Sequence, residues 1–256
     1  MSLLSISKLT HFFGGLRAVG DFNLELQAGE LIAIIGPNGA GKTTVFNLVT
    51  GVYRASEGRI IFRGQDLIGK QTHETVSNGI ARTFQNIRLF KELTVLDNVR
   101  IARFARTGYS PIEALFHLGR FSSEEERTRR ESLEYLQIFD LADVAETTSK
   151  NLPYGQQRRL EIARALATKP TLLLLDEPAA GMNPAEVERL MELILWVRKE
   201  FQVTIMLIEH QMRVVMGITE RIKVLNFGET IAEGTPKEIQ NNPRVIEAYL
   251  GEEVEA

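Results

Sequence analysis

Apolar positions change their period along the chain, and the changes divide it into elements. Phe22, Leu24 and Leu26 alternate with Asn23, Glu25 and Gln27, the period-two pattern of a half-buried strand. Ala28-Gly29-Glu30 then marks a turn. Residues 31–35 and 172–175 run apolar without alternation, and 203–208 is broken only at Thr204. Runs of this kind suit parallel strands covered on both faces, and the helical patterns between them predict crossover helices.

Residues 86–151 read differently. Val95, Val99 and Ala102 share a helical face, and Leu133, Leu136 and Phe139 continue an apolar stripe in a second helix. Ser123, three residues before Glu126, is the expected N-cap of that helix. With no strand signal here, an all-helical lobe is expected, inserted between core segments at about 1–85 and 152–256. Residues 108–120 are the least patterned stretch. After His210 the pattern predicts a helix, then a hairpin around Asn226-Phe227-Gly228, then a helical tail over 235–250.

Composition narrows the class. The 256 residues suffice for one sizeable core, or one core plus a lobe. A net charge of −3 offers no global attraction to nucleic acid or anionic lipid, and no basic aromatic patch is evident. The absence of cysteine removes disulfides, thiolate chemistry and cysteine-ligated metals. No apolar run approaches the roughly 20 residues that span a bilayer, and the N-terminus lacks signal-peptide character, so a cytoplasmic chain is expected.

Candidate chemistry sits at the ends of the buried runs. Gly36-Pro37-Asn38-Gly39-Ala40-Gly41-Lys42-Thr43 fits G-x-x-x-x-G-K-[ST], with an apolar strand before it and a helical run after it. Its glycines let backbone N–H groups turn toward phosphates at a helix N-terminus, Lys42 reaches the β- and γ-phosphates, and Thr43 ligates Mg²⁺. The second run ends in Asp176-Glu177. Asp176 is expected on the magnesium side, and Glu177 to take a proton from the attacking water. A third run ends at His210, expected to contact the γ-phosphate or organise that water. Gln85, where core gives way to lobe, is a further candidate for Mg²⁺ or water.

In this order, the features resemble the ATP-binding subunit of an ATP-binding-cassette transporter. Residues 36–43 resemble its Walker A motif, Gln85 its Q-loop, 152–156 (Leu-Pro-Tyr-Gly-Gln) its signature, 172–177 its Walker B strand, and His210 its switch histidine. Phe13, before Gly14-Gly15, lies where the family stacks an aromatic on adenine, with Phe12 as its rival. Val19 and Thr44 complete the expected nucleotide contacts. The resemblance implies a P-loop NTPase α/β core with an N-terminal antiparallel β region and an inserted helical subdomain. It also implies hydrolysis of MgATP between two subunits closed head to tail. Tyr154, Gly155 and Gln156 would then complete the partner's site.

Residues 13–19, 81–85, 154–161 and 177–184, with the tail from Gly234, resemble one subfamily: the ATPase of high-affinity branched-chain amino acid import. Its members pair two different ATPase subunits with two membrane permease subunits and a substrate receptor, which would place this chain peripherally on the inner face of the membrane. Three positions depart from the family pattern: Pro153 replaces a serine whose hydroxyl bonds the γ-phosphate, Tyr154 replaces a glycine, and Asn183 replaces an aspartate. The rival readings are lipopolysaccharide export by the same kind of machine, or a non-transport ATPase of the family. Long coiled-coil insertions or a second cassette would mark the latter, and 256 residues hold neither.

Overall fold

The computed structural model describes residues 2–103 and 121–253. The expected excursion at 108–120 therefore lies outside the described residues. Among those residues the chain forms two compact units, Met1–Arg82 with Thr171–Ala256, and Thr83–Pro170.

The first unit holds two sheets. Strands β1 (Leu4–Phe13), β2 (Leu16–Leu26), β4 (Glu57–Phe62) and β5 (Gln65–Asp66) form an antiparallel sheet in the order β2-β1-β4-β5. The second sheet combines β3 (Leu31–Ile35), β6 (Ile80–Arg82), β7 (Leu172–Asp176), β8 (Thr204–Ile208), β9 (Arg221–Asn226) and β10 (Glu229–Gly234) in the order β10-β9-β3-β8-β7-β6. All its pairings are parallel except β9 with β10. The uninterrupted apolar runs are β3, β7 and β8, every residue of each being buried.

Helices α1 (Lys42–Val49) and α2 (Thr72–Ser77) follow β3 and β5. One core joins α1 to both sheets. Val45, Phe46, Leu48 and Val49 pack with Leu4, Ile6, Phe22, Leu24, Leu26 and Phe62, and with Ile32, Ile34, Leu172, Leu174, Met206 and Ile208. The period-two choice within each strand shows the face α1 covers; the intervening Leu31, Ala33 and Ile35 are buried on the other. The 226–228 hairpin has a two-residue turn, Phe227-Gly228, with both φ values positive and Asn226 paired to Glu229, a geometry that matches strand twist.

The second unit is helical: α3 (Val95–Arg103), α4 (Phe121–Ile138) and α5 (Tyr154–Ala167), with two short 3₁₀ turns, Ala142–Val144 and Ser149–Asn151, between α4 and α5. Val95, Val99, Leu136, Phe139, Leu160 and Ala163 are buried within it. Two expectations change. Ser123 lies inside α4 rather than capping it, because the helix already includes Phe121. Residues 152–170, grouped by the sequence pattern with the α/β core, pack in the helical unit instead. The reason is that the apolar stripe of α5 is buried in this unit. The chain then re-enters the first unit, where helices α6 (Pro184–Glu200), α7 (Met212–Ile218), α8 (Pro236–Gln240) and α9 (Pro243–Glu253) complete it.

Candidate active site

The site is built by strand register. Ile34 of β3 pairs with Ile208 of β8, and Ile208 pairs with Asp176 of β7, so three neighbouring parallel strands end level. One residue past that level stands Glu177, and two residues past it stand Gly36 and His210. Ligands of open α/β sheets bind beyond such carboxyl ends.

Residues 36–41 form a loop that only glycine can close at two points. Gly36 has φ 146°, and a Cβ there would lie 2.0 Å from the Leu225 carbonyl oxygen. Gly41 has φ 96°, and a Cβ would lie 2.4 Å from the Ala18 oxygen. Both combine a left-handed backbone with main chain pressed against them. Asn38 and Gly39 are exposed at the loop's crest, while Ala40 is buried beneath it. Lys42 opens α1 and curls back, its Nζ donating to the carbonyls of Gly36 (2.6 Å) and Pro37 (2.7 Å). The ammonium is thereby held over the loop. Thr43 is exposed and Thr44 half-buried on the first turn of α1.

Glu177 has φ 47°, a conformation that is strained in a non-glycine residue and concentrated at functional sites. Its N–H donates to the Ile208 oxygen at 2.8 Å, which ties the turn to β8. Its Oε2 lies 3.6 Å from His210 Nδ1. That is too long for a hydrogen bond, yet close enough for both groups to address one atom. His210 is mostly exposed and Glu177 mostly covered.

Three arrangements at the site go beyond what the sequence signalled. Asp176 is ion-paired with Arg82 at 2.7 Å, with side chains only 3% and 5% exposed. Arg82 also donates to Asn47 Oδ1 at 2.6 Å, and its guanidinium lies 5.5 Å from the Phe46 ring centre. The buried acid at the strand end therefore already meets a cation of its own chain. Glu209, wholly buried, accepts N–H bonds from Ala179 (2.9 Å), His210 (2.9 Å) and Gln211 (3.1 Å), and so shapes the turns that follow β7 and β8. An acid interrupting the end of an apolar strand was the only clue to it. The third is an aromatic trio. Phe13 meets His11 (4.7 Å, 88°) and Tyr53 (5.2 Å, 83°) edge-on, while His11 and Tyr53 stack at 5.5 Å. Phe12 and Phe13 are similarly exposed, and of the two it is Phe13 whose ring meets other described aromatic rings. Val19 is fully buried and backs the loop at Gly41, its side chain offering no surface to a ligand.

For magnesium, the chemistry of the donors fits. Thr43 and Asp176 offer hard oxygens, and among the described residues no group of three His, Cys, Asp or Glu side chains could hold a metal alone. Mg²⁺ accepts such a sparse protein contribution because phosphate oxygens and water complete its shell.

In the second unit, Gln85 is exposed in the non-helical segment before α3. Tyr154, Gly155 and Gln156 form the first turn of α5, whose N-cap is Pro153, a residue with no side-chain cap to offer. The amides of this turn thus point from a helix N-terminus. Asn183 is the N-cap of α6, its Oδ1 accepting from Ala185 and Glu186 N–H at 3.0 Å each. Its local role explains an amide there without reference to charge.

A family model described as "ABC transporter" matches residues 19–180, and one described as "Branched-chain amino acid ATP-binding cassette transporter" matches 229–255. The chain is 45% identical over 250 residues to the high-affinity branched-chain amino acid transport ATP-binding protein BraF of Pseudomonas aeruginosa. It is 46% identical to LivG, of the same description, from Escherichia coli K12; 98% of each chain is covered in both cases. Among solved structures, the ADP conformation of MJ1267, an ATP-binding cassette of an ABC transporter, superposes with a TM-score of 0.85 at 32% identity. That match covers 98% of this chain and 99% of the other. The dimeric post-hydrolysis state of MJ0796, bound to ADP and Pi, gives 0.77 at 27% identity, covering 91% and 98%.

Proposed function

This chain belongs to the ABC transporter family, and from that premise we propose that it hydrolyses MgATP to power import of branched-chain amino acids. The observation that carries the reading is the level ending of β3, β8 and β7, which offers a phosphate loop, an acid and an imidazole side by side. The similarity of the whole chain to BraF and LivG, together with the tail model, favours amino acid import over lipopolysaccharide export or a non-transport role.

In this reading the N–H groups of 36–43 and the N-terminus of α1 bind the β- and γ-phosphates. Lys42 leaves its loop carbonyls to join them. Magnesium, when bound, neutralises charge on those phosphates, with Thr43 and Asp176 as the chain's own contributions. Glu177 accepts the proton of the attacking water, and His210, 3.6 Å away, orients it against the γ-phosphate. Phe13, steadied by His11 and Tyr53, stacks on adenine. Gln85 would offer its side-chain amide to magnesium or to the water, as the resemblance of its segment to the Q-loop implies.

Tyr154, Gly155 and Gln156 face the nucleotide of a second ATPase subunit, a paralogue bound head to tail. Two permease subunits receive the motion, and a receptor delivers the cargo. No described helix is long and apolar enough to cross a membrane, so in this reading the permeases hold the chain at the cytoplasmic face. The test is to purify the assembled complex and measure which amino acids, presented through the receptor, raise ATP turnover. Stimulation by leucine, isoleucine or valine is expected. A complex that responds to none of these, and to another cargo instead, refutes the substrate assignment.

A further inference from the structure

Arg158 and Glu161 stand one turn apart at the start of α5, with side chains 0% and 1% exposed. Arg158 Nη1 donates to Glu161 Oε2 at 2.9 Å and to the Phe84 carbonyl at 2.7 Å. Its Nη2 donates to the Gln85 carbonyl at 2.8 Å and to the Tyr154 hydroxyl at 3.0 Å. Glu161 Oε1 accepts the N–H groups of Arg88 at 3.2 Å and Phe84 at 3.4 Å. Four hydrogen bonds from one ion pair therefore hold the main chain of 84–88 against the first turns of α5.

As a means of stabilising a helical unit, this arrangement is poor. Desolvating two charges offsets most of their attraction, and apolar side chains of similar volume serve as well or better. What an apolar contact lacks is direction. Hydrogen bonds to carbonyls and amides fix register and angle, whereas an apolar contact lets the segments slide. The pair also joins the two stretches of this unit to which function has been assigned, the segment of Gln85 and the turn of Tyr154, Gly155 and Gln156.

We propose that Arg158 and Glu161 are positioning residues, a buried coupler that makes the Gln85 segment and the N-terminal turn of α5 shift as one body. Nucleotide-driven movement at Gln85 is then transmitted to the surface offered to the second ATPase subunit. The inference rests on the role given to Gln85 above.

Hydrogen exchange of the full chain tests it, with a non-hydrolysable ATP analogue and magnesium, at a concentration where light scattering reports a monomer. In the parent, adding nucleotide slows exchange at both 84–88 and 154–161. The double variant Arg158→Met/Glu161→Leu removes both charges together, so it is expected to fold, with a lowered melting temperature because main-chain groups of 84–88 lose their partners, and to bind the analogue within about twofold of the parent. It is expected to keep the response at 84–88 and to lose at least about threefold of that at 154–161. A purely structural pair would not separate these two responses. Should the double variant fail to fold, Glu161→Gln keeps the volume but turns an amide toward Arg158, and the same loss at 154–161 is expected in part. A parental response at 154–161 in either folded variant overturns the coupler. If the parent itself shows no response at 84–88, the reading of Gln85 fails, and the coupler with it.

Discussion

Replacing Arg82 by methionine removes the cation ion-paired with Asp176 while nearly matching the volume of the side chain. Asp176 is 2% exposed, so the carboxylate left behind has no ready access to water. Removing one partner of a buried ion pair costs about 3–5 kcal/mol, because the remaining charge is stranded. The bond to Asn47 Oδ1 is lost as well. At about 2–4 °C per kcal/mol for a chain of this size, the unfolding midpoint should fall by about 6–20 °C. Asp176→Asn in the same chain should recover most of that loss, since the stranded charge is then gone. A double-mutant cycle in urea, followed by the fluorescence of the single tryptophan, Trp196, measures the coupling directly. A loss below about 1 kcal/mol for Arg82→Met, with no recovery in the double variant, would show that Asp176 is not charge-compensated by Arg82.

Three further outcomes are expected. Glu177→Gln should leave ATP binding intact, lower turnover by at least about 100-fold and trap the closed, nucleotide-bound pair of subunits; turnover at the parental rate would remove Glu177 from the role of base. Pro153→Ser adds a cap of about 0.5–2 kcal/mol to α5 and a hydroxyl at the partner's site, so ATPase of the assembled complex should rise or stay level. A sharp fall in that complex contradicts the account of this position. His11 is buried with neither ring nitrogen hydrogen-bonded, so His11→Phe should stabilise the fold by about 1 kcal/mol in thermal melts. Destabilisation of similar size would mean that His11 has a polar partner in solution.

Much of the architecture was legible from periodicity alone. The alternation at Phe22, Leu24 and Leu26 appears as buried positions of β2, and the apolar runs appear as β3, β7 and β8. The hairpin at Phe227-Gly228 was legible because a two-residue turn with positive φ needs a glycine. Ser123 misled because a serine three residues before a glutamate also occurs inside helices, where exposure decides its role. The limit of the helical unit was misplaced because an apolar stripe on α5 reveals that a face is covered without revealing what covers it.

The sequence by itself determined the strand ends, the glycine loop and the acids and imidazole that follow the strands, because each depends on residue type at short spacing. Only the tertiary structure decided how those groups are held. Arg82 and Asp176 are 94 residues apart, Arg158 reaches the Phe84 carbonyl across 74, and Glu209 meets Ala179 across 30. In a linear chain such an arginine or glutamate looks like any solvated charge. It becomes an organising group when folding strips its water and leaves protein partners from distant parts of the chain within hydrogen-bonding distance.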